Sequence, residues 1–372
     1  MVKGNVMEDL ETRLIERINT SYLVTRKSSE LLDPQRGIPL TITDEVRQIA
    51  DQSLTIHSID TSILQKKDTD LSDEEKKLKE LTGWNVFWAR EMAAAMTAIP
   101  NRGGTYSNFL PGRVTHYELV AQAIALLFNS GQDGIKGKDV TEIGSGSGLG
   151  LMKLAQRGAN VTCLDSSIMA LEFAKYLAGH YTVQDKVTLV RGDYFSMPQE
   201  IAQKQFDVVY NSGVLEHERD AKGLVGKMAE ITRPDGYVVI SVPNEDSKFY
   251  RRFKQREEDT RRRFPLIPRI PVENRRYQHD IPKLMRENNL IFIRRDGVQV
   301  AASAPIGKGD IAEHDLRFFD EYLPLRPQSF PVEDRINAWR VLESDATHEL
   351  RLRYGWSVYY VGQKPIEQRP AA

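Results

Sequence analysis

Cysteine is almost absent from this chain of 372 residues, whose one thiol belongs to Cys163. A single cysteine cannot form an intrachain disulfide, and it cannot supply a cysteine-rich zinc site. The seven histidines include no His-Glu-x-x-His spacing, so we predict no metal site. A chain of this length can bury roughly three quarters of its unfolded surface, which is enough to fold without a metal or a disulfide.

Long apolar runs and an excess of charge are also lacking. The first ten residues contain no apolar run of the signal-peptide kind, and no uninterrupted apolar stretch approaches the roughly 20 residues of a membrane span. The 51 Lys and Arg residues nearly match the 52 Asp and Glu residues, giving a formal net charge of -1. This composition predicts a cytoplasmic protein with no membrane span, and it disfavours a protein that coats nucleic acid.

Residues 1–110 are predicted to form a helical N-terminal extension. Ser72 and Glu75 have the spacing of a capping box, and Pro100 with Gly103 and Gly104 is predicted to end the helix that follows. The apolar residues of this helix recur every three or four positions, on one face: Leu78, Leu81, Trp84, Trp88, Met92, Met96 and Ile99. We interpret the extension as a cover or as a homodimerisation element, with a share in the substrate pocket as the alternative.

Residues 111–365 are predicted to form one α/β domain. A second capping box, Thr115 with Glu118, is predicted to open its first helix. From Lys138 onward, β-rich runs alternate with helical runs, a pattern typical of a parallel sheet with helices on both faces. The predicted strands cover 139–143, 159–164, 187–190, 206–210, 237–242, 290–293 and 355–361, and the predicted helices cover 149–157, 167–179, 220–232 and 281–288. Two irregular stretches, at about 245–276 and 303–349, are predicted insertions.

A glycine-rich loop joins the first strand of this domain to the next helix, within Thr141–Gly150. A dinucleotide fingerprint needs glycines at its first, third and sixth positions. Counting from Gly144 the sixth position is Leu149, and counting from Gly146 it is Leu151. No Gly-Lys-Ser/Thr sequence follows, so the loop is neither a dinucleotide fingerprint nor a Walker phosphate loop.

The loop instead follows an acidic residue, Glu142, with the pattern Gly-x-Gly-x-Gly. Here the chain resembles the class I S-adenosylmethionine-dependent methyltransferases. Asp165 closes the second strand, Asp193 follows the third, and the fourth leads into Val-Leu-Glu-His at 214–217. This last run is similar to the ubiquinone-biosynthesis branch of the family. The matched motifs lie between about Thr141 and Asn244.

The resemblance implies a Rossmann-like, seven-stranded and mostly parallel sheet whose last strand is antiparallel, and it implies S-adenosyl-L-methionine as cofactor. It places acidic residues against the ribose and the adenine of that cofactor. A sulfonium with an ammonium group also tolerates an acidic rim that a pyrophosphate would not. The cofactor residues implied or predicted are Glu142, Gly144, Ser145, Gly146, Gly148, Asp165, Ser166, Asp193, Tyr194, Asn211, Gly213 and Arg113.

His217 is the first candidate for a general base, because it follows the fourth strand, where the methyl group should be presented. The alternative is a histidine that packs near the cofactor without transferring a proton. His116 and Tyr106 are further candidates, since the segment before the first strand often covers the cofactor in this family. Arg113 in the same segment could pair with the methionine carboxylate.

The methyl acceptor is predicted to be a small molecule with an O, N or C nucleophile. Residues 248–276 hold 11 Lys and Arg against 4 Asp and Glu. This basic segment could bind an anionic acceptor, RNA or an anionic membrane, or it could simply form a solvated loop or helix or a dimer contact. A methyltransferase acting on RNA or protein is a weaker hypothesis, because the Asn/Asp-Pro-Pro-Tyr/Phe motif is absent after strand four. A non-catalytic partner subunit that retains the fold and a nicotinamide-dependent oxidoreductase are weaker hypotheses still.

Overall fold

A seven-stranded sheet runs through the part of the chain that a computed structural model describes, which is residues 62–102, 111–128, 134–247, 250, 251, 254, 255, 258, 278–298 and 345–366. The order across the sheet is β3-β2-β1-β4-β5-β7-β6. Strands β1 to β5 pair in parallel, whereas β7 is antiparallel to both β5 and β6. The predicted fold class is therefore confirmed. The strands are β1 (Asp139–Ile143), β2 (Asn160–Asp165), β3 (Val187–Arg191), β4 (Phe206–Ser212), β5 (Thr232–Pro243), β6 (Ile291–Val298) and β7 (Ser357–Gln363).

Helices cover both faces of this sheet. Side chains of β4 alternate between two apolar cores, because successive residues of a strand point to opposite faces: Val208 and Tyr210 join the core beneath α2, α3 and α4, while Val209 joins the core beneath α6 and α7. The described helices are α1 (Asp73–Arg102), α2 (Pro111–Ala125), α3 (Leu149–Gln156), α4 (Ile168–His180), α5 (Gln199–Ala202), α6 (Ala221–Ile231), α7 (Ile281–Glu287) and α8 (His348–Tyr354).

Helix α1 begins at the predicted capping box. The Ser72 backbone N–H donates to Glu75 Oε2 at 2.8 Å, and the Glu75 N–H donates to Ser72 Oγ at 3.2 Å. Helix α1 continues through Pro100 and ends at Arg102, directly before Gly103, so its end lies within the predicted stretch from Pro100 to Gly104. A proline removes one backbone hydrogen bond, but here the next two residues still continue the final turn.

The prediction that Thr115 and Glu118 form a second capping box is wrong. Helix α2 already begins at Pro111, and proline suits a first turn because the N–H it lacks would have no intrahelical partner there. Thr115 therefore lies inside the helix. Glu118 forms an ion pair with Arg157 at the end of α3 and lies 3.8 Å from Lys153 Nζ, so its carboxylate fastens α2 to α3.

Strand β5 begins earlier than predicted, at Thr232 rather than Tyr237. Residues 234–236, directly before the predicted start, form an irregularity within the strand, where the pairing with β4 shifts register. Asp235 has a positive φ of 65°, a conformation that Asp adopts more readily than most residues. The other strand boundaries differ from prediction by at most two residues, except that β6 continues to Val298 rather than ending at 293.

Much of both predicted insertions, and residues 1–61 of the extension, lie outside the described residues. The division into an extension and one α/β domain stays a prediction, although α1 packs on α4 of the sheet's helical layer. Among the described helices, none has the length and apolar character that crossing a membrane would require.

Gly297 of β6 provides a test of how α8 is packed. A Cβ added there would collide with the backbone of Arg351, whose side chain donates to Asp296 from Nε and Nη2 at 3.0 and 2.8 Å. We expect Gly297→Ala to lower the free energy of unfolding in urea by about 1–3 kcal/mol. Gly83→Ala in α1 is the control: no described atom lies within 4 Å of its added Cβ, so stability should rise by up to about 1 kcal/mol. Equal effects would mean that α8 shifts freely.

Candidate active site

The candidate site lies at the carboxyl ends of β1, β2 and β4. Strand β1 is paired with β2 on one side and with β4 on the other, so the strand order reverses at β1. Open α/β sheets bind ligands in the crevice at such a reversal. The glycine loop leads from β1 into α3 at this point.

Three glycines of the loop adopt left-handed backbone conformations, with φ of 68° at Gly144, 52° at Gly146 and 64° at Gly148. Side chains are strained in this region, so glycine is favoured by the backbone alone. Packing adds a second reason, because an added Cβ at each position would lie too close to a protein side chain. Those neighbours are Val214 for Gly144, Trp88 for Gly146 and Cys163 for Gly148.

The loop amides are largely satisfied by the protein itself. The N–H groups of Gly144 and Ser145 both donate to the Leu164 carbonyl, at 2.9 and 3.1 Å. The Gly146 N–H donates to Asp165 Oδ2 at 2.8 Å, and the Gly148 N–H donates to the Ser145 carbonyl at 2.8 Å. Phosphate-binding loops instead present free N–H groups to the anion. This loop is therefore poorly suited to a pyrophosphate.

Asp165 is the polar centre of the site. Its side chain is 8% exposed, and its Oδ1 accepts from the Ser167 N–H at 2.8 Å while Oδ2 holds Gly146. Burial raises the pKa of Asp165 to about 6, although these backbone hydrogen bonds oppose the shift. Each carboxylate oxygen can accept a further hydrogen bond, so Asp165 can still bind ligand hydroxyls.

Glu142 is buried beside Asp165. The side chain is 2% exposed, and Oε2 has no hydrogen-bond partner among the described residues. Burial, and then the like charge of Asp165, raise the pKa of Glu142 well above its usual range. A buried polar atom without a partner is costly, so Glu142 is suited to a ligand that brings a donor or a positive charge.

Asn211 and Gly213 shape the end of β4. Asn211 is fully buried, and its Nδ2 donates to the Ile143 carbonyl at 2.8 Å, which ties β4 to the end of β1. Gly213 has a positive φ of 73°, and its N–H donates to the Ser241 carbonyl at 3.1 Å. These two residues hold the rim of the crevice in place.

The residues after β2 and β3 border the same crevice. Ser166 is exposed beside Asp165, and the Gly192 N–H donates to the Asp165 carbonyl at 3.0 Å. Asp193 is exposed and accepts from the Phe195 N–H at 2.8 Å. Tyr194 is hydrogen-bonded to Glu218, and burial is the main cause that raises the pKa of its phenol. The predicted adenine side of the site is thus the more exposed side.

His217 lies in a single 3-10 turn, Leu215–His217, directly after β4. Its ring meets the Trp84 ring edge to face, with centroids 5.2 Å apart. The imidazole is half-buried. The helix α1 therefore reaches the residue that the sequence nominates as general base.

Three residues of α1 lie over the glycine loop and the start of α4. Trp88 packs against Gly146, and Trp84 packs against His217. Asn85 Oδ1 accepts from Ser167 Oγ at 2.7 Å and from the Met169 N–H at 3.4 Å. Apolar periodicity identified the two tryptophans as a buried face but not their target, and no sequence signal distinguished Asn85.

The other predicted site residues are placed less fully. Tyr106 lies outside the described residues, whereas Arg113 and His116 lie in the first two turns of α2. Their contribution to a site stays a prediction. Throughout the described ranges, no group of three or more His, Cys, Asp or Glu side chains could hold a metal ion.

Comparison with known proteins agrees with the motifs. Residues 141–240 match the family model described as "Methyltransferase domain". The chain is 31% identical over 117 residues to the ubiquinone biosynthesis O-methyltransferase of Alkalilimnicola ehrlichii, covering 32% of this chain and 46% of that protein. It is 30% identical over 163 residues to the enzyme of the same name from Erwinia tasmaniensis, covering 43% and 60%. The chain thus spans less than two thirds of these relatives.

Two solved structures are similar in fold. One is magnesium protoporphyrin IX methyltransferase from Synechocystis PCC 6803 with bound S-adenosylhomocysteine, at 17% identity and a TM-score of 0.41, covering 68% of this chain and 84% of that one. The other is a SAM-dependent methyltransferase from Archaeoglobus fulgidus, at 16% identity and a TM-score of 0.39, covering 67% and 94%. Because the TM-scores are low, the fold assignment rests on the sheet order of this chain. Over residues 141–240, the predicted resemblance to methyltransferases is confirmed.

Proposed function

We propose that this protein is an S-adenosylmethionine-dependent methyltransferase that acts on a small-molecule acceptor. One observation carries the proposal. The crevice at the strand reversal pairs two buried carboxyl groups, Glu142 and Asp165, with a glycine loop whose amides are mostly satisfied by the protein. Such a site favours a cationic nucleoside over a pyrophosphate.

The cofactor would supply a methyl group on a sulfonium, which leaves readily when a nucleophile attacks in line. Asp165 would accept hydrogen bonds from the ribose hydroxyls, and Asp193 with Tyr194 would border the adenine. Glu142 would face the cationic end, and the fixed loop Gly144–Gly148 would keep the cofactor aligned. Proximity and alignment of this kind can contribute roughly 7–11 kcal/mol to catalysis.

His217 would take a proton from an acceptor that must lose one. Its position after β4 and its edge-to-face contact with Trp84 support this role, because the contact restrains the imidazole. A general base contributes typically about 10²–10⁴-fold to the rate. Three further site residues are proposed: Tyr106 from the segment before α2, and Arg113 and His116 from the first two turns of α2.

The acceptor is proposed to be small, and an oxygen nucleophile is the first to test. The relatives named above are O-methyltransferases, and each aligns with less than half of this chain. The basic segment 248–276 supports an anionic group on the acceptor. Nitrogen and carbon nucleophiles remain open to the same assay.

Helix α1 is proposed to cover the site. Trp84, Asn85 and Trp88 link it to His217, to the start of α4 and to the glycine loop, which supports a covering role for this part of the extension. Homodimerisation through the N-terminal helices and a cytoplasmic location remain predictions.

Ligand-induced stabilisation would test the cofactor assignment. S-adenosylhomocysteine at 100 times its dissociation constant should stabilise the protein by about 2.7 kcal/mol, which is readily seen as a rise in Tm. NAD at the same concentration should give no rise. A rise in Tm with NAD alone would overturn the proposal. If S-adenosylhomocysteine stabilises the protein, transfer of a labelled methyl group to a metabolite extract would identify the acceptor.

His217→Ala should leave S-adenosylhomocysteine affinity unchanged and lower kcat by about 10²–10⁴-fold. A histidine base acts only in its neutral form, so kcat of the wild type should rise with pH, and the variant should lose that rise. The matched control is His348→Ala, because His348 lies on helix α8 and its ring is bonded to Asp296 of β6. If the His217 variant keeps the wild-type pH profile, His217 is not the base.

A further inference from the structure

Glu142 and Asp165 occupy the same buried crevice but have unequal support. Asp165 accepts two backbone N–H groups at 2.8 Å each, from Gly146 and Ser167. Glu142 Oε2 accepts none from the described residues and is sealed from solvent. Hydrogen bonds to a carboxylate stabilise its charged form, whereas burial without them favours the neutral acid.

The groups around Glu142 do not offset this difference. Its neighbours in register are Cys163 on β2 and Tyr210 on β4, and both are fully buried. Burial raises the pKa of the Cys163 thiol and of the Tyr210 phenol, so both stay uncharged at neutral pH. Tyr117 on α2 also acts on the Tyr210 phenol. The strongest charge acting on Glu142 is the like charge of Asp165.

Two neighbouring carboxyl groups in one buried site titrate as a coupled pair, and the pair resists a second negative charge. The hydrogen bonds assign the first charge to Asp165. Glu142 therefore holds the proton while the crevice contains no cation. A ligand that brings a positive charge to the crevice would reverse that preference.

We infer that cofactor binding is coupled to release of a proton from Glu142: its carboxylic acid ionises, the O–H bond breaks, and the proton passes to solvent when a cationic nucleoside enters. This inference rests on the proposed function, because it takes the ammonium-bearing cofactor as the cation. Glu142 would then act as a counter-ion formed on demand.

The coupling makes affinity depend on pH in one direction. The ligand prefers the ionised form, so protons compete with it, and Kd should fall about tenfold per unit rise in pH while Glu142 is protonated in the free protein. The dependence should flatten once Glu142 ionises without ligand. Any titration of the ligand itself is shared by every variant, so comparison of variants isolates Glu142.

Isothermal titration calorimetry with S-adenosylhomocysteine at pH 7 tests the inference, using full-length protein in buffers of different ionisation enthalpy. The slope of observed enthalpy against buffer enthalpy gives the protons exchanged. We expect release approaching one proton for the wild type and none for Glu142→Gln, whose amide mimics the neutral acid in size. The variant's Kd should also lose its pH dependence.

The outcomes separate the two proposals. Absence of binding by the wild-type protein would count against the proposed function. Binding without proton release would overturn the inference and leave the function standing. Proton release that persists in Glu142→Gln would also overturn the inference, and it would identify Asp165 as the source of the proton. If Glu142→Gln does not fold, the absence of proton release by the wild type still overturns the inference. Calorimetry of Asp165→Asn then tests the source of a measured proton: release that persists in this variant supports Glu142, and release that disappears overturns the inference.

Discussion

Asp165→Ala should weaken S-adenosylhomocysteine binding by at least about a hundredfold. Asp165 holds the Gly146 and Ser167 N–H groups, and hydrogen bonds to a charged group are worth about 1.5–3 kcal/mol each. Losing them frees both the glycine loop and the start of α4. The ligand hydroxyls lose their acceptor at the same time, so the effect on affinity should exceed the effect of either loss alone.

Asp165→Asn should fall between the wild type and alanine. In asparagine an NH2 group replaces one of the two carboxylate oxygens. The remaining oxygen can therefore accept from the Gly146 N–H or from the Ser167 N–H in the native geometry, but not from both. Calorimetry would give the three Kd values, and circular dichroism would verify that each variant is folded. Burial raises the pKa of Asp165 to about 6 in the folded protein, whereas an unfolded Asp has a pKa of about 4. The free energy of unfolding of the ligand-free protein should therefore decrease as the pH rises from about 4 to about 6. The asparagine variant should therefore lose less stability than the wild type over the same rise in pH.

Asp207→Asn is the matched control for a buried acid on the same sheet. Asp207 lies at the opposite end of β4, where Oδ2 accepts from the Asp139 N–H at 2.9 Å and Oδ1 pairs with Lys138 and Arg233. Its replacement should lower stability and leave the affinity for S-adenosylhomocysteine unchanged. Equal losses of affinity for the two asparagine variants would mean that general destabilisation, and not the carboxylate of Asp165, sets the affinity.

Much of the fold was predictable because it is encoded locally. Alternating β-rich and helical runs identify the strands, and parallel strands bring their carboxyl ends to one edge. That rule alone places Glu142 and Asp165 together. The capping box at Ser72 succeeded for the same reason, because its hydrogen bonds join residues three positions apart.

The errors arose where a nearby or distant residue overrode the local pattern. Thr115 with Glu118 has the spacing of a cap, but Pro111 starts the helix first, and Glu118 binds a residue 39 positions away. The contact of Asn85 with Ser167 spans 82 positions, and a single sequence carries no record of such a distance. The position of α1 over the site therefore required the structure.

The glycines of the loop also combine a locally encoded feature with a contact that is distant in sequence. Their pattern predicts tight turns, and the positive φ values agree. The pattern does not reveal that Gly146 also makes room for Trp88 of α1. If that contact matters, a methyl group at Gly146 should disturb both the loop and the covering helix, which no turn preference predicts.

Gly146→Ala should therefore lower stability and raise the Kd for S-adenosylhomocysteine by more than about tenfold. Alanine in a left-handed conformation costs about 1–2 kcal/mol, and the new methyl group also collides with the Trp88 ring. Relief of that collision must move α1 or the loop. Movement of the loop shifts the Gly146 N–H from Asp165, which is how a packing change would reach the cofactor site.

Two further variants separate strain from contact. Gly137→Ala has the same backbone cost without the collision, since Gly137 has a φ of 74° and no described atom lies within 4 Å of its added Cβ. It should lower stability by about 1–2 kcal/mol and leave Kd unchanged. Trp88→Ala combined with Gly146→Ala removes the ring that collides. Urea unfolding of Trp88→Ala, Gly146→Ala and the double variant should then give a coupling energy of about 0.5–3 kcal/mol. The double variant should lose less stability than the sum of the losses of the two single variants. Additive losses would show that the Trp88 side chain moves aside without a cost in stability, and that backbone strain alone makes glycine necessary at position 146.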